Sequence, residues 1–286
     1  MKTMLDKLEY EMQLAGMSVV SQENYRGQVR RFLEACDKPI DALNHDDVRQ
    51  FLHHLRYERQ LSIGSVNYYH TCIKFFYECV LEQPWNQRRI PRLRGYRTVP
   101  TILSRQEVRR ILDACESIKQ KALLTTIYAS GLRNGEACRL QVQDILSSTM
   151  QIFVRKSKRN RQRYTILAPS NLELLRHYWL EAGRPGHWLF PGARVDHPLS
   201  SATVGNYLER ACEKAGVQKP VTVHTLRHCF STHFLEDGHS LLSLSRLLGH
   251  SSLSSTSRYV ALAQPDKMGL RSPLDGLEEE EHGDDC

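Results

Sequence analysis

The residues best suited to chemistry lie near the C-terminal end of the chain, where histidines, an arginine and a tyrosine are closely spaced. His224 and Arg227 are three positions apart, so they share one face if this segment is a helix. His250 follows, and Tyr259 lies nine positions after it. Cationic donors that converge near a phenol suit attack on a phosphodiester, because the negative charge that develops on the phosphate must be stabilised.

Each of these residues, taken alone, has an ordinary structural explanation. A single histidine on a helix, or a single tyrosine near the end of a chain, is more often a packing residue than a functional one. A zinc site is not indicated, because His224, His228 and His233 fit no usual ligand spacing and no cysteine pair accompanies them. His228 also lies on a different helical face from Arg227, so we expect it to be structural. The functional interpretation therefore depends on the joint spacing.

Three motifs in this region resemble the C-terminal signature of the tyrosine recombinases, the phage-integrase and Xer-like family. They are His-Thr-Leu-Arg at 224–227, Leu-Leu-Gly-His at 247–250 and Ser-Arg-Tyr at 257–259. Upstream, Gly-Leu-Arg-Asn-Gly-Glu at 131–136 resembles the first-arginine box of that family. The resemblance implies that Tyr259 is a nucleophile that attacks a DNA phosphate.

The family also places a catalytic lysine on a β-hairpin. Here two β-prone runs flank a basic turn at 155–163. The family pattern has the lysine between two glycines, whereas this sequence has Ser157-Lys158-Arg159. The alignment selects Lys158 and leaves Lys156 as a competitor. The catalytic set implied by the resemblance is Arg133, Lys158, His224, Arg227, His250 and Tyr259.

The resemblance assigns a role to each member of this set. Arg133 and Arg227 form a phosphate clamp, since a guanidinium can contact two phosphate oxygens at once. Glu136, one turn after Arg133, either orients that arginine or forms an ordinary surface ion pair. Lys158 protonates the leaving oxygen, a role that suits lysine because its pKa falls readily beside other cations. His224 handles the tyrosine proton or binds the phosphate.

The implied reaction is a transesterification of DNA. The tyrosine displaces a 5′-hydroxyl and leaves a 3′-phosphotyrosyl enzyme, while His250 donates to a non-bridging oxygen. The family needs no metal, ATP or other cofactor, and acts as a homotetramer (or hetero-tetramer) on paired double-stranded DNA sites. The alternatives are an Xer-type chromosome or plasmid dimer resolvase and a type IB topoisomerase-like nicking-closing enzyme. Arg-Ser-Pro-Leu-Asp at 271–275 resembles transposon-linked integrases and favours a mobile-element enzyme.

The composition fits a DNA partner. The chain has a net charge of +7 and a pI near 9.0, and the final 23 residues carry −6, which leaves +13 on the rest. A strongly basic body favours nucleic acid. The N-terminal segment lacks the apolar core of a signal peptide, and no apolar run reaches the roughly 20 residues of a membrane span. We therefore expect a cytoplasmic enzyme with no membrane partner.

Hydrophobic periodicity predicts a mainly α-helical protein with a small antiparallel β-sheet, in two domains. Four amphipathic helices, which resemble the core-binding domain of the family, precede a proline-spaced basic strap expected to contact DNA phosphates. A capping box at 104–107 marks the start of a mixed α/β catalytic domain, whose last helix is predicted at 252–261. The predicted division is 1–86 for the core-binding domain, 87–102 for the basic linker, 103–263 for the catalytic domain and 264–286 for an acidic tail.

Overall fold

The structure confirms the predicted fold class. The computed structural model describes residues 2–95, 100–155, 162–250, 252–264 and 268. Within these residues the chain is mainly α-helical with a small antiparallel sheet. It forms two compact units, Met1–Thr98 and Val99–Cys286. None of the helices in the described ranges is both long and apolar enough to cross a membrane.

The first unit consists of helices packed around one apolar core. The helices are α1 (Lys2–Leu14), α2 (Val19–Cys36), α3 (His45–His53) and α4 (Ile63–Phe75). α3 and α4 each continue into a π-helical turn, His54–Glu58 and Phe76–Val80 respectively. Asn44 begins α3 with a capping box, in which its side chain accepts from the N–H groups of Asp46 and Asp47. The core contains Leu8, Phe32, Phe51, Ile73, Phe76 and Tyr77.

The basic strap that follows α4 is packed against the first unit. Ile90 is buried in the core of this unit, and its carbonyl oxygen lies 2.9 Å from Nε2 of His70. The side-chain amide of Asn67 binds the backbone of Leu93 twice, at 2.9 and 3.0 Å. This part of the strap is therefore fixed to α4. Residues 96–99 lie outside the described residues, and the exact domain boundaries stay a prediction.

The second unit begins with the predicted capping box. Ser104 Oγ accepts from the N–H of Glu107, and the Glu107 carboxylate accepts from the N–H of Ser104. The helices that follow are α5 (Arg105–Asp113), α6 (Ile118–Ser130), α7 (Asn134–Cys138), α8 (Pro169–Glu181), α9 (Ser201–Lys214), α10 (Val223–Glu236), α11 (Leu241–Leu248) and α12 (Ser254–Ser257). α6 is buried on most of its surface, with α8 and α10 packed against it. It therefore forms the centre of the unit.

A three-stranded antiparallel sheet lies between α7 and α8. Its strands are β1 (Ile145–Leu146), β2 (Gln151–Val154) and β3 (Arg163–Ile166), in the order β1-β2-β3. The pairing of β2 with β3 includes Val154 opposite Arg163, so the two strands stay paired as far as the predicted basic turn. Residues 156–161, which include Lys156 and Lys158, lie outside the described residues.

The end of the described chain differs from the predicted helix at 252–261. The helix is a single turn, α12, and the residues from Tyr259 onward form turns with i→i+3 hydrogen bonds, such as Leu262 N–H to the Tyr259 carbonyl. The segment is rich in serine, which favours caps and turns over helix interiors. Of the predicted acidic tail, the structure describes Gln264 and Met268, and the rest lies outside the described residues.

Candidate active site

The buried carboxylate of Glu136 on α7 lies at the centre of the site. Its Oε1 accepts from Nη1 of Arg133 at 2.8 Å, and its Oε2 accepts from the backbone N–H of Arg133 at 2.9 Å. Arg163 on β3 donates to both oxygens, at 2.8 and 2.7 Å. Burial alone would raise the pKa of Glu136, but the hydrogen bonds and charges of Arg163 and Arg133 lower it to about 2. Glu136 is therefore ionised and orients Arg133, and it is not an ordinary surface ion pair.

The second arginine of the site, Arg227 on α10, is buried with 1% of its surface exposed. Its Nη1 donates to the carbonyl of Gly131 at 2.5 Å, and its Nη2 donates to the carbonyl of Leu248 at 2.9 Å. Gly131 ends α6 with φ of +61°, and a Cβ there would lie 2.4 Å from the ring of Phe230. The position therefore needs glycine. Backbone carbonyls at two helix ends thus fix the direction of the guanidinium.

His250 connects this guanidinium to α12. Its Nε2 lies 3.2 Å from Nη2 of Arg227, and its Nδ1 lies 2.8 Å from Oγ1 of Thr256. Burial, followed by the charges of Arg227 and Arg133, lowers the pKa of His250 to about 4, so the ring is neutral at pH 7. Since arginine can only donate, the neutral ring accepts at Nε2 and donates from Nδ1 to the hydroxyl of Thr256.

The predicted nucleophile, Tyr259, is fully buried. Its ring packs in an apolar cluster with Phe230 and Leu248, and the guanidinium of Arg258 lies 5.3 Å from the ring centroid. The phenolic oxygen lies 3.0 Å from Nδ1 of His228. We expected His228 to be purely structural, but in the described structure its imidazole lies within hydrogen-bond distance of the Tyr259 hydroxyl.

His224 is the neighbour of His228 on α10. It is exposed, and its ring centroid lies 4.4 Å from that of His228, one turn along α10. Burial, followed by the charges of His224, Arg258 and Arg227, lowers the pKa of His228 to about 4. At neutral pH the phenol therefore meets an uncharged imidazole. His224 therefore packs against His228, and among the described residues it is His228 that lies within hydrogen-bond distance of the phenolic oxygen.

The structure brings most of the predicted site residues together. Those it describes are Arg133, His224, Arg227, His250 and Tyr259. Lys158 and its competitor Lys156 lie outside the described residues. Arg163 was not predicted as part of the site. The feature that could have identified Arg163 is the alternating burial along β3. Arg163 and Thr165 are buried, whereas Tyr164 and Ile166 are exposed, so the strand directs the Arg163 side chain inward.

The arrangement suits a dianionic transition state. Arg133, Arg163 and Arg227 contribute three positive charges, and Glu136 contributes one negative charge, with Nη1 of Arg227 3.9 Å from its Oε2. An excess of positive charge remains to stabilise the charge that develops when a phosphodiester becomes five-coordinate. Arg133 is more exposed than Arg227, with 27% of its side chain accessible against 1%, so its guanidinium is open to an anion from solvent.

Comparison with known proteins agrees with this geometry. Residues 101–265 match the phage integrase family, and residues 4–87 match the N-terminal SAM-like domain of phage integrases. A putative integrase/recombinase, y4qK, from Sinorhizobium fredii is 35% identical over 97% of this chain and 90% of its own length. The tyrosine recombinase XerC of Halalkalibacterium halodurans is 30% identical over 88% of this chain and 89% of its own.

The fold also matches a solved structure of a DNA-bound integrase. A lambda integrase dimer bound to a COC′ core site superposes with a TM-score of 0.73 at 23% identity, covering 91% of this chain and 94% of that one. The sequence matches extend through both units, and the described geometry gathers the arginines, histidines and tyrosine of the signature motifs. The chain therefore belongs to the phage integrase family of tyrosine recombinases, enzymes that cut and rejoin DNA.

Proposed function

We propose that this protein is a site-specific recombinase of a mobile element, which acts through a 3′-phosphotyrosyl intermediate formed by Tyr259. The observation that supports the proposal best is the arginine cluster held by Glu136, with Arg227 bonded to His250. Such a cluster supplies preorganised positive charge where a scissile phosphate needs it. The family match and the integrase/recombinase relative support the same conclusion.

The chemical step conserves the energy of the phosphodiester bond. The Tyr259 oxygen forms a new bond to phosphorus, and the bond from phosphorus to the 5′ oxygen breaks. Lys158 gives its proton to that oxygen, while the phenolic proton passes to the paired histidines His224 and His228. Arg133 and Arg227 bind the non-bridging oxygens. Attack by a 5′-hydroxyl of the partner strand then restores the tyrosine, so the step consumes neither ATP nor a metal-activated water.

The partner is double-stranded DNA, and the working assembly is a homotetramer on two paired sites. Two reacting duplexes contain four scissile phosphates, and each needs its own tyrosine. The net charge of +13 outside the final 23 residues supports binding to the phosphate backbone. The strap fixed along α4 by Asn67 and His70 presents arginines for such contacts. Acting on chromosomal or element DNA, the enzyme would work in the cytoplasm.

Two related activities compete with this proposal. The XerC relative supports an Xer-type resolvase of chromosome or plasmid dimers, and the same chemistry without strand exchange would give a type IB topoisomerase-like enzyme. A two-site recombination assay separates recombinase from topoisomerase, because a topoisomerase relaxes supercoils but yields no recombinant product. Sequencing the DNA in trapped covalent complexes separates an element end from a chromosomal resolution site.

The test of the nucleophile is Tyr259→Phe on a suicide substrate, a nicked duplex that loses the leaving strand and so traps the covalent complex. We expect DNA affinity within about twofold of wild type and no covalent adduct, because the variant loses the hydroxyl and keeps the phosphate clamp. Tyr178→Phe is the matched control, since Tyr178 is also a buried tyrosine with one hydrogen bond, to the Leu189 carbonyl at 2.9 Å. A covalent band from Tyr259→Phe would assign the nucleophile to another residue.

A further inference from the structure

The hydroxyl of the nucleophile is held by one of the two neighbouring histidines on α10. The Tyr259 oxygen lies 3.0 Å from Nδ1 of His228, and the two ring centroids are 5.6 Å apart. The tyrosine ring cannot turn freely, because it is fully buried and packs in a cluster with Phe230 and Leu248. This packing directs the phenolic oxygen toward α10 and the His228 side chain.

His224 faces a different part of the site. Its ring is in edge contact with the ring of His228, with centroids 4.4 Å apart and planes at 75°. Its side chain is exposed, and it lines a surface groove together with Asn134, the residue directly after Arg133. His224 therefore lies on the side of the phosphate clamp, whereas His228 lies on the side of the phenol.

The charge state of His228 suits a proton acceptor. Burial, followed by the charges of His224, Arg258 and Arg227, lowers the pKa of its imidazole to about 4, so the ring is neutral before DNA binds. A neutral imidazole has one nitrogen that accepts a hydrogen bond. Because Nδ1 is the nitrogen beside the phenol, it can accept the phenolic O–H when the ring carries its own hydrogen on Nε2.

The cations around this pair do not oppose proton transfer within it. Transfer from the phenol to the imidazole creates a phenolate and an imidazolium, a pair with no net charge. The guanidinium of Arg258 lies 5.3 Å from the centroid of the Tyr259 ring, and its Nε donates to the carbonyl of Ser255 at 3.1 Å. A cation that disfavours the imidazolium also favours the phenolate, so the titration belongs to the pair and not to His228 alone. A bound DNA phosphate adds a negative charge, which favours the imidazolium further.

We propose that His228 is the general base of the cleavage step and accepts the phenolic proton of Tyr259 at Nδ1, while His224 contacts the phosphate. The inference rests on the proposed function, in which Tyr259 is the nucleophile, and it gives the two histidines separate roles. As the Tyr259 oxygen bonds to phosphorus, its O–H bond breaks and the proton moves to Nδ1, which leaves an imidazolium. When a 5′-hydroxyl later displaces the tyrosine, this proton returns to the phenolic oxygen.

The test replaces His228 by asparagine in the full-length protein and measures covalent complex formation on the suicide substrate. In His228→Asn the side-chain oxygen can still accept a hydrogen bond from the phenol, but it cannot take up the proton. We expect cleavage about 100-fold slower than wild type, at the low end of what general base catalysis contributes. A difluorotyrosine at position 259 has a more acidic hydroxyl and needs less help from a base. It should bring His228→Asn to within about threefold of the same protein with His228 intact.

Matched variants give each outcome a meaning. His224→Asn should be slow with either tyrosine, because a more acidic nucleophile does not restore a lost phosphate contact. His177→Asn, at an exposed histidine of α8, should cleave at the wild-type rate. Rescue of His224→Asn, absence of rescue for His228→Asn, or normal cleavage by His228→Asn with ordinary tyrosine overturns the inference. A covalent adduct from Tyr259→Phe would instead refute the proposed function.

A second measurement needs no substitution. Long-range proton–nitrogen NMR spectra of the histidine-labelled, DNA-free protein show which ring nitrogen of His228 carries hydrogen. Acceptance of the phenolic proton requires hydrogen on Nε2 and none on Nδ1. If Nδ1 carries the hydrogen, His228 is a donor to the Tyr259 oxygen and the inference is wrong, whether or not His228→Asn folds.

Discussion

Replacing Glu136 by glutamine would remove the carboxylate that Arg133 and Arg163 share. The carboxylate has a pKa of about 2 in the folded protein against an ordinary value of 4.5, a difference that corresponds to about 3 kcal/mol at neutral pH. Glutamine keeps one oxygen but places an NH₂ group against a guanidinium. Leaving buried Arg163 without its partner costs a similar amount, about 3–5 kcal/mol. We therefore expect Glu136→Gln to lower the free energy of unfolding of the second unit by about 3 kcal/mol at pH 7.

The dependence on pH identifies the cause of this loss. A carboxyl group with a lowered pKa stabilises the fold fully above its unfolded-state pKa, and this stabilisation disappears as the pH falls through the folded-state pKa. For Glu136 the window runs from 4.5 down to about 2. The difference between wild type and Glu136→Gln should be the same at pH 7 and pH 5.5, and should shrink to about 2 kcal/mol at pH 3.5.

Urea unfolding followed by tryptophan fluorescence can measure the second unit alone. Trp85 belongs to the first unit and Trp179 and Trp188 to the second, so a Trp85→Phe background leaves fluorescence from the second unit. Separating the two transitions matters, because a chain with two units need not unfold in a single step. Wild type, Glu136→Gln and a control variant, Glu173→Gln, would be compared in this background at the three pH values.

Glu173→Gln is the matched control, since Glu173 is exposed on α8. The same substitution there should change the free energy of unfolding by less than about 0.5 kcal/mol. A loss below about 1 kcal/mol for Glu136→Gln at pH 7 would contradict the reasoning about the buried carboxylate. A loss that stays constant down to pH 3.5 would mean that packing, and not charge, accounts for it.

Two further predictions concern the neighbours of this cluster. Gly249→Ala should destabilise the second unit by more than Gly216→Ala and should abolish cleavage. Both glycines have φ near +60°, but a Cβ at Gly249 would lie 2.7 Å from Cδ of Arg163, whereas nothing lies within 4 Å of a Cβ at Gly216. Equal losses of the free energy of unfolding in urea would argue against this contact. In an NMR titration of the DNA-free protein, the ring signals of His228 and His250 should shift with midpoints near pH 4, because the pKa of each imidazole is lowered to about 4. A midpoint above pH 6 for either ring would show that its surroundings do not keep the imidazole neutral.

The sequence was sufficient to predict where residues lie when their placement depends on local spacing. Arg133 follows a helix-ending glycine, and Arg227 lies one helical turn from His224, so the relation of each to its element is visible within a few residues. The fold class was equally predictable, because helical and strand periodicities differ clearly. Tyr259 could be selected by its distance from the preceding histidine, although the helix expected around it is a single turn.

The contacts that assemble the site could not be predicted in the same way. Arg163 and Glu136 are 27 positions apart, and their meeting depends on how β3 packs beside α7. His228 and Tyr259 are 31 positions apart, and which histidine of α10 contacts the phenol depends on the rotation of that helix. Burial decides both cases. A side chain that reads as polar surface in the sequence becomes a structural ion pair when its strand or helix face turns inward.

The way the arginines are held explains how the site stays positively charged before DNA arrives. A guanidinium can be oriented by carboxylates, but each one cancels a charge that the phosphate needs. Arg227 is instead held at 2.5 and 2.9 Å by the carbonyls of Gly131 and Leu248, and it also contacts the neutral ring of His250. These uncharged acceptors fix the direction of the Arg227 guanidinium without cancelling its positive charge. The carboxylate of Glu136 serves two arginines at once, so within the described residues the cluster keeps an excess of positive charge, which suits the stabilisation of a negatively charged transition state.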